Sequence, residues 1–203
     1  MSDTEIRDEL MTLLVAGHET TATQLAWTFE QLNRNPEVLG RLVAEIDAGR
    51  DEYVTATIRE SLRHRPVLLI AQPRKVKQPI EIGGYSYEPG THLCANAYGV
   101  QHDAELYPEP NVFRPERFLD TDPGTYSWIP FGGGRRRCIG ASFAMLEMAI
   151  VLRVLLSRTQ LLAGDAGPEL ARRRAITVSP SAGASSTLRA RTDVPAPVAP
   201  TPA

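Results

Sequence analysis

The chain has few cysteines, no strong charge imbalance and no long uninterrupted apolar run, and each shortage excludes a class of protein. Its 203 residues carry two cysteines, Cys94 and Cys138. Two thiols so far apart build no disulfide framework and fit a reducing compartment, so a cytoplasmic location is expected. A formal net charge of −2 supplies no global field for nucleic acid or an anionic membrane. The basic runs Arg135–Arg137 and Arg172–Arg174 are local. The most apolar helical stretch, Ala144–Leu156, is interrupted by Glu147 and Arg153 and falls short of the about 20 residues a spanning helix needs. No signal peptide, internal repeat, glycine-rich nucleotide motif or flavin module is present. What remains, at 42% hydrophobic residues, is enough for one sizeable core.

The segment Phe131–Gly140 organises the chain. Three glycines and three arginines precede Cys138, which opens an apolar, helix-like run. Glycines allow a tight turn and close approach to a flat ligand. The arginines and the positive end of the following helix favour thiolate over thiol. A lone sulfur without partner ligands does not suit zinc, which takes three or four protein donors. It suits a metal whose other ligands come from a macrocycle, the bland alternative being a solvated basic loop beside a buried free cysteine. The pattern Phe131-x-x-Gly134-x-Arg136-x-Cys138-x-Gly140 resembles the haem-binding signature of the cytochrome P-450 family at every fixed position. The resemblance implies haem b (iron protoporphyrin IX) with Cys138 as its thiolate ligand and Arg136 neutralising a propionate.

Ser2-Asp3-Thr4-Glu5 is a capping box, and helical spacing continues to about Asn33. Leu10–Ala16 is apolar nearly all round, which predicts a helix passing through a core. Ala16-Gly17-His18-Glu19-Thr20-Thr21 then breaks the pattern. A glycine weakens a helix interior, and threonine hydroxyls can bond back to preceding carbonyls and bend it. This segment resembles the family's oxygen-activating motif. By that match Ala16 and Gly17 leave room above the iron, Thr20 bonds dioxygen and its water, and Glu19 takes part in proton delivery. The alternatives are a paired or solvated acid for Glu19 and a hydroxyl bonded to its own helix for Thr20. His18 is assigned no role.

Asn35-Pro36 predicts an N-cap and first turn for a short scaffold helix to about Asp47, with a turn at Ala48–Asp51. The next helix, about Glu52–His64, places Glu60 and Arg63 three residues apart on one face. With Arg117 in Pro115-Glu116-Arg117-Phe118, they resemble the family's helix and meander pairing, a buried structural triad. Pro66–Arg74 reads as extended. By the resemblance Val67–Ile70 pass the substrate pocket and Arg74 grips a haem propionate; the alternative is a buried strand with an edge arginine. Ile80–Tyr87 reads as a hairpin around Gly83-Gly84. A strand at Thr91–Asn96 holds Cys94 as a small packed residue. Asp103–Trp128 reads as an ordered meander that buries Phe113, Phe118, Tyr126 and Trp128. After Cys138 a helix runs to about Arg158. Ala175–Pro180 and Ser186–Arg191 read as a terminal hairpin around Ser181–Gly183.

The fold class expected is mainly α with small β-sheets (α+β): a truncated cytochrome P-450 fold beginning at its long central oxygen-binding helix. Residues 1–191 would form its C-terminal haem-binding portion and 192–203 a flexible Pro/Ala-rich tail. The resemblance implies a haem-thiolate monooxygenase that takes electrons one at a time and puts one atom of dioxygen into a small apolar organic substrate. The donor would be a separate protein, a ferredoxin with its reductase, docking its acidic surface at Arg135 and Arg137. The alternative is a catalytically silent haem-binding fragment whose missing half leaves apolar surface exposed.

Overall fold

The computed structural model describes residues 1–162 and 167–192, so all of the expected tail except Thr192 lies outside the described residues. Helix α1 covers Asp3–Arg34. Its capping box is formed: Ser2 Oγ accepts from the Glu5 amide at 3.3 Å, and the Ser2 amide donates to Glu5 Oε2 at 2.7 Å. Helix α2 (Pro36–Asp47) starts on proline, but Asn35 does not cap it with its side chain. Asn35 Nδ2 instead donates back to the Gln31 carbonyl at 2.7 Å, closing the end of α1, where orphan carbonyls need donors. Helix α3 (Glu52–His64), the short α4 (Ala97–Gln101) and α5 (Ala141–Arg158) complete the described helices.

Eight short strands form four antiparallel pairs among the described residues. β1 (Arg74–Lys75) pairs with β4 (His92–Leu93), and β2 (Ile80–Ile82) with β3 (Tyr85–Tyr87). Gly83 and Gly84, at φ 60° and 79°, supply the two left-handed positions of the β2–β3 turn, which a side chain would strain. β5 (Thr159–Leu162) continues directly from α5 and pairs with β8 (Thr187–Ala190), enclosing the β6 (Ala171–Arg174)–β7 (Thr177–Pro180) hairpin. The terminal hairpin expected around Ser181–Gly183 is therefore wrong. The tight turn falls at Ala175-Ile176, with Ala175 at φ 55°, and the Ser181–Gly183 segment only carries the chain towards β8.

The core lies where α2, α3, α5 and the second half of α1 meet, built on Leu32, Leu42, Val54, Ile58, Met148, Leu152 and Leu156. A smaller cluster of Ala56, Tyr107 and Phe118 sits beneath the meander. The expectation of a core helix at Leu10–Ala16 fails, since Leu10, Leu14 and Val15 are 61%, 61% and 69% exposed. The buried residues of α1 begin at Thr21 and include Gln24, Trp27, Thr28, Gln31 and Leu32. The helix is thus inverted along its length: its apolar half is bare and a polar-rich half is packed. Cys94 lies beyond the end of β4 and is exposed, and Tyr126 is exposed, both against expectation. No described helix is long and apolar enough to cross a membrane.

A Leu152→Ala variant is expected to lose about 2–5 kcal/mol of unfolding free energy, because the side chain is fully enclosed. Leu146→Ala, on the open face of the same helix, should change it by no more than about 0.5 kcal/mol. Urea unfolding of both variants checks the contrast, and equal losses would contradict the location of the core.

Candidate functional site

The cysteine loop is built from its two ends inward. Before it, the Ile129 amide donates to Gln101 Oε1 at 3.2 Å and Trp128 Nε1 to the Arg59 carbonyl at 3.1 Å. Phe131 packs on the main core. The Cys138 amide then donates back to the Phe131 carbonyl at 2.9 Å, closing the loop. Gly132 and Gly134 turn it at φ 69° and 62°, and a Cβ at either would meet nothing within 4 Å. Those glycines are needed for backbone conformation, and they present bare main chain to open space. A one-turn 3-10 helix (Gly134–Arg136) leads to Cys138, which is exposed two residues before Gly140, the N-cap of α5. A Cβ on Gly140 would lie 3.9 Å from the Cys138 sulfur. Arg135, Arg136 and Arg137 are exposed.

On α1, Thr20 Oγ1 donates to the Ala16 carbonyl at 2.7 Å, the local back-bond open to a helical threonine. A Cβ on Gly17 would meet nothing within 4 Å. The helix runs through this turn as continuous α-helix. Glu19 is half exposed and meets two groups of the β6–β7 hairpin: Arg174 Nε at 3.6 Å and Thr177 Oγ1 at 3.3 Å. Neither was singled out from the sequence, where Arg172–Arg174 reads as one basic run. Strand alternation could have separated its members, since Arg174 closes the hairpin opposite Thr177. Arg74 is exposed in β1, with Nη1 donating to the Gln72 and Pro73 carbonyls at 2.8 and 3.1 Å.

Glu60, Arg63 and Arg117 come together. Arg63 forks onto Glu60, Nε to Oε2 at 2.7 Å and Nη2 to Oε1 at 2.8 Å, with both side chains fully buried. Arg117 Nε approaches Glu60 Oε1 at 3.3 Å, and the Arg114 amide donates to the same oxygen at 2.8 Å. One carboxylate faces two cations, so the remaining donors turn to carbonyls: Arg63 Nη1 to Gln101 at 2.8 Å, Arg117 Nη1 to Pro108 at 2.7 Å. Next to this cluster His64 is buried, with Nε2 on the Asn111 carbonyl at 3.1 Å and Nδ1 without a partner. Burial foremost, then the charges of Arg65 and Arg63, push His64 down from 6.5 to about 4, against the opposing pull of the Asn111 hydrogen bond.

The sequence profile of the cytochrome P-450 family matches residues 1–183. The chain belongs to the cytochrome P-450 family. A Mycobacterium tuberculosis relative carrying the name cytochrome P-450 137 is 48% identical over 183 residues, 90% of this chain and 38% of the relative. A Mycobacterium bovis relative named cytochrome P-450 138 is 41% identical over 192 residues, 94% of this chain and 43% of the relative. The crystal structure of a cytochrome P-450DA mutant heme domain superposes with a TM-score of 0.85 at 27% identity, covering 94% of this chain and 46% of that one. The chain therefore spans less than half the length of these relatives.

The residues present fit the haem the family carries. Cys138 is a single exposed thiol two residues before the N-cap of α5, a donor that suits a centre served by one thiolate. The bare backbone at Gly132 and Gly134, the exposed arginines beside Cys138 and the uncovered apolar side chains Val15, Ile139 and Phe143 suit a flat, apolar, carboxylate-bearing ring.

Removing the carboxylate of the buried cluster in Glu60→Ala leaves two guanidinium groups facing each other. The expected loss is about 3–5 kcal/mol in chemical unfolding, against little for Asp8→Ala at the exposed Arg7 pair. For His64, the unfolded chain takes up a proton near pH 6.5 and the folded chain only near about 4. Its contribution is therefore whole above that upper value and drains away as pH falls towards the lower one, by about 3 kcal/mol. His102, also lowered chiefly by burial, adds in the same direction. Unfolding midpoints across this range should show the fall, and His64→Gln should remove most of it.

Proposed function

We propose that the chain is the C-terminal, haem b-binding portion of a haem-thiolate monooxygenase. The observation that carries this reading is Cys138 in its closed glycine and arginine loop at the head of α5. Thiolate-ligated haem, when bound, supplies reductive activation of dioxygen and transfer of one oxygen atom to an organic substrate, the other leaving as water. Cys138 would give the sulfur ligand, with α5 and the neighbouring arginines favouring its anion. Arg136 and Arg74 would pair with the ring's carboxylates through two-pronged donors, Arg74 exchanging its contacts to Gln72 and Pro73 for a stronger charged partner. Phe131, Gly134 and Gly140 shape the loop, while Ala16 and Gly17 keep α1 slim opposite the reacting face.

Thr20 spends its single hydroxyl hydrogen on the Ala16 carbonyl, so its oxygen lone pairs remain free to accept a hydrogen bond. Glu19, half exposed on the adjacent position, can exchange a proton between solvent and that hydroxyl. The exposed apolar residues of α1 suit a small apolar organic substrate. Electrons come from a separate protein, a ferredoxin with its reductase, for whose acidic surface Arg135 and Arg137 are available. Two unpaired thiols fit a cytoplasmic setting. The uncovered first half of α1 supports a second reading, a haem-binding fragment without turnover of its own.

The test is the reduced carbon monoxide spectrum of the chain produced with a haem precursor. The long-wavelength Soret band of thiolate ligation is expected in the parent and should vanish in Cys138→Ser at unchanged helical content. The same band in both proteins would overturn the reading. Turnover of an apolar probe substrate with a surrogate ferredoxin system separates the enzyme from the silent fragment.

A further inference from the structure

We propose that Arg174, seated by Thr177, is a positioning residue for Glu19, holding that carboxylate beside the β6–β7 turn between rounds of proton transfer. The proposal rests on the monooxygenase reading and extends it to a strand hairpin that the reading does not use.

The hairpin is fixed to α1 close to its turn. Trp27 Nε1 donates to the Val178 carbonyl at 2.8 Å, and the Val178 amide donates to the Val67 carbonyl at 2.9 Å. Both main-chain groups of one residue are thus engaged by separate parts of the chain, so β7 cannot slide along the helix. Thr177, next to it and buried, donates Oγ1 to the Arg174 carbonyl at 2.8 Å, and the two residues are strand partners at the turn. Arg174 is thereby pinned by its backbone at the level of Glu19. Its neighbours are placed differently: Arg173 lies on the opposite face of the strand and turns its Nε onto the Ala175 carbonyl at 2.9 Å.

The hold on Glu19 itself is loose. The Arg174 contact, at 3.6 Å, is an ion pair longer than a hydrogen bond, and Thr177 has already placed its one hydrogen nearer Arg174. With Arg174 76% and Glu19 49% exposed, solvent screens the attraction. A rigid anchor with a weak terminal contact suits an acid that must leave its resting place, meet Thr20 one residue on, and return. A tight buried pair would trap the carboxylate. With no pair at all, its side chain would sample every rotamer the exposed helix surface allows.

Two measurements on the chain test this. In the 15N-labelled chain, Glu19→Gln should speed solvent exchange of the Arg174 Nε–H by about two- to fivefold, the factor matching an exposed ion pair. Unchanged exchange would show that the contact is not made. In the haem-loaded chain driven by a surrogate ferredoxin system, Arg174→Ala should keep the thiolate band and the unfolding midpoint. It should nonetheless lower organic product per reducing equivalent about threefold, the difference appearing as hydrogen peroxide, and Arg174→Lys should restore at least half of the loss. If Glu19→Gln lowers this yield and Arg174→Ala does not, the positioning role is wrong while the monooxygenase reading stands. If neither variant changes it, or the thiolate band is present without turnover, Glu19 has no proton step to be positioned for and the proposal falls. Absence of the band overturns the monooxygenase reading itself, and the proposal with it.

Discussion

A carboxylate and two guanidinium groups withheld from water govern this structure. Desolvating such charges is unfavourable unless each donor and acceptor is met, so the Glu60 cluster dictates where its surroundings lie. Arg63 reaches the Gln101 carbonyl, and Gln101 in turn uses its side chain on the Leu62 and Arg63 carbonyls and on the Ile129 amide. Two residues further along is Phe131, whose carbonyl closes the loop on Cys138. The sulfur therefore hangs from a buried ion cluster through a short series of hydrogen bonds, and the meander that looks irregular is the part that satisfies the cluster's remaining donors. This places the rigidity of the loop in α3 and α4, away from the exposed glycines that shape it.

The other organising fact is the asymmetry of α1. Its second half carries Gln24 and Thr28 into a buried network with Ser61, while leucines and valine of the first half stand in solvent. Apolar surface on this scale marks a face meant for contact. The relatives are all more than twice as long as the matched region. Ile139, Phe143 and Cys138 are open as well.

Local chemistry was legible in the sequence and tertiary choice was not. The capping box, the Gly83-Gly84 turn and the three-residue spacing of Glu60 and Arg63 each depend on neighbours in the chain, and each is present in the structure. The tight turn of the cysteine loop was legible because its glycines are the residues that take left-handed conformations without strain. Burial of Leu10–Ala16 was misjudged because periodicity reports which residues are apolar and not whether anything lies over them. Strand pairing after α5 was misjudged for a related reason: Ser181–Gly183 has ordinary turn residues, whereas the turn formed puts alanine in a left-handed conformation. Strand alternation sets Arg173 apart, but no local signal separates Arg174 from Arg172, because its meaning depends on a helix more than a hundred residues away.

The nesting of β6–β7 inside β5–β8 has a consequence for the order of assembly. Bringing two strands together costs loop entropy that grows with the logarithm of the chain between them. The inner hairpin spans a two-residue turn and can close locally; once closed, it shortens the effective loop that the outer pair must bridge. The outer pair also needs β5 to be in place, and β5 issues from the packed end of α5. Docking of the C-terminal strand thus belongs late in folding, making that edge the natural first point of fraying under stress.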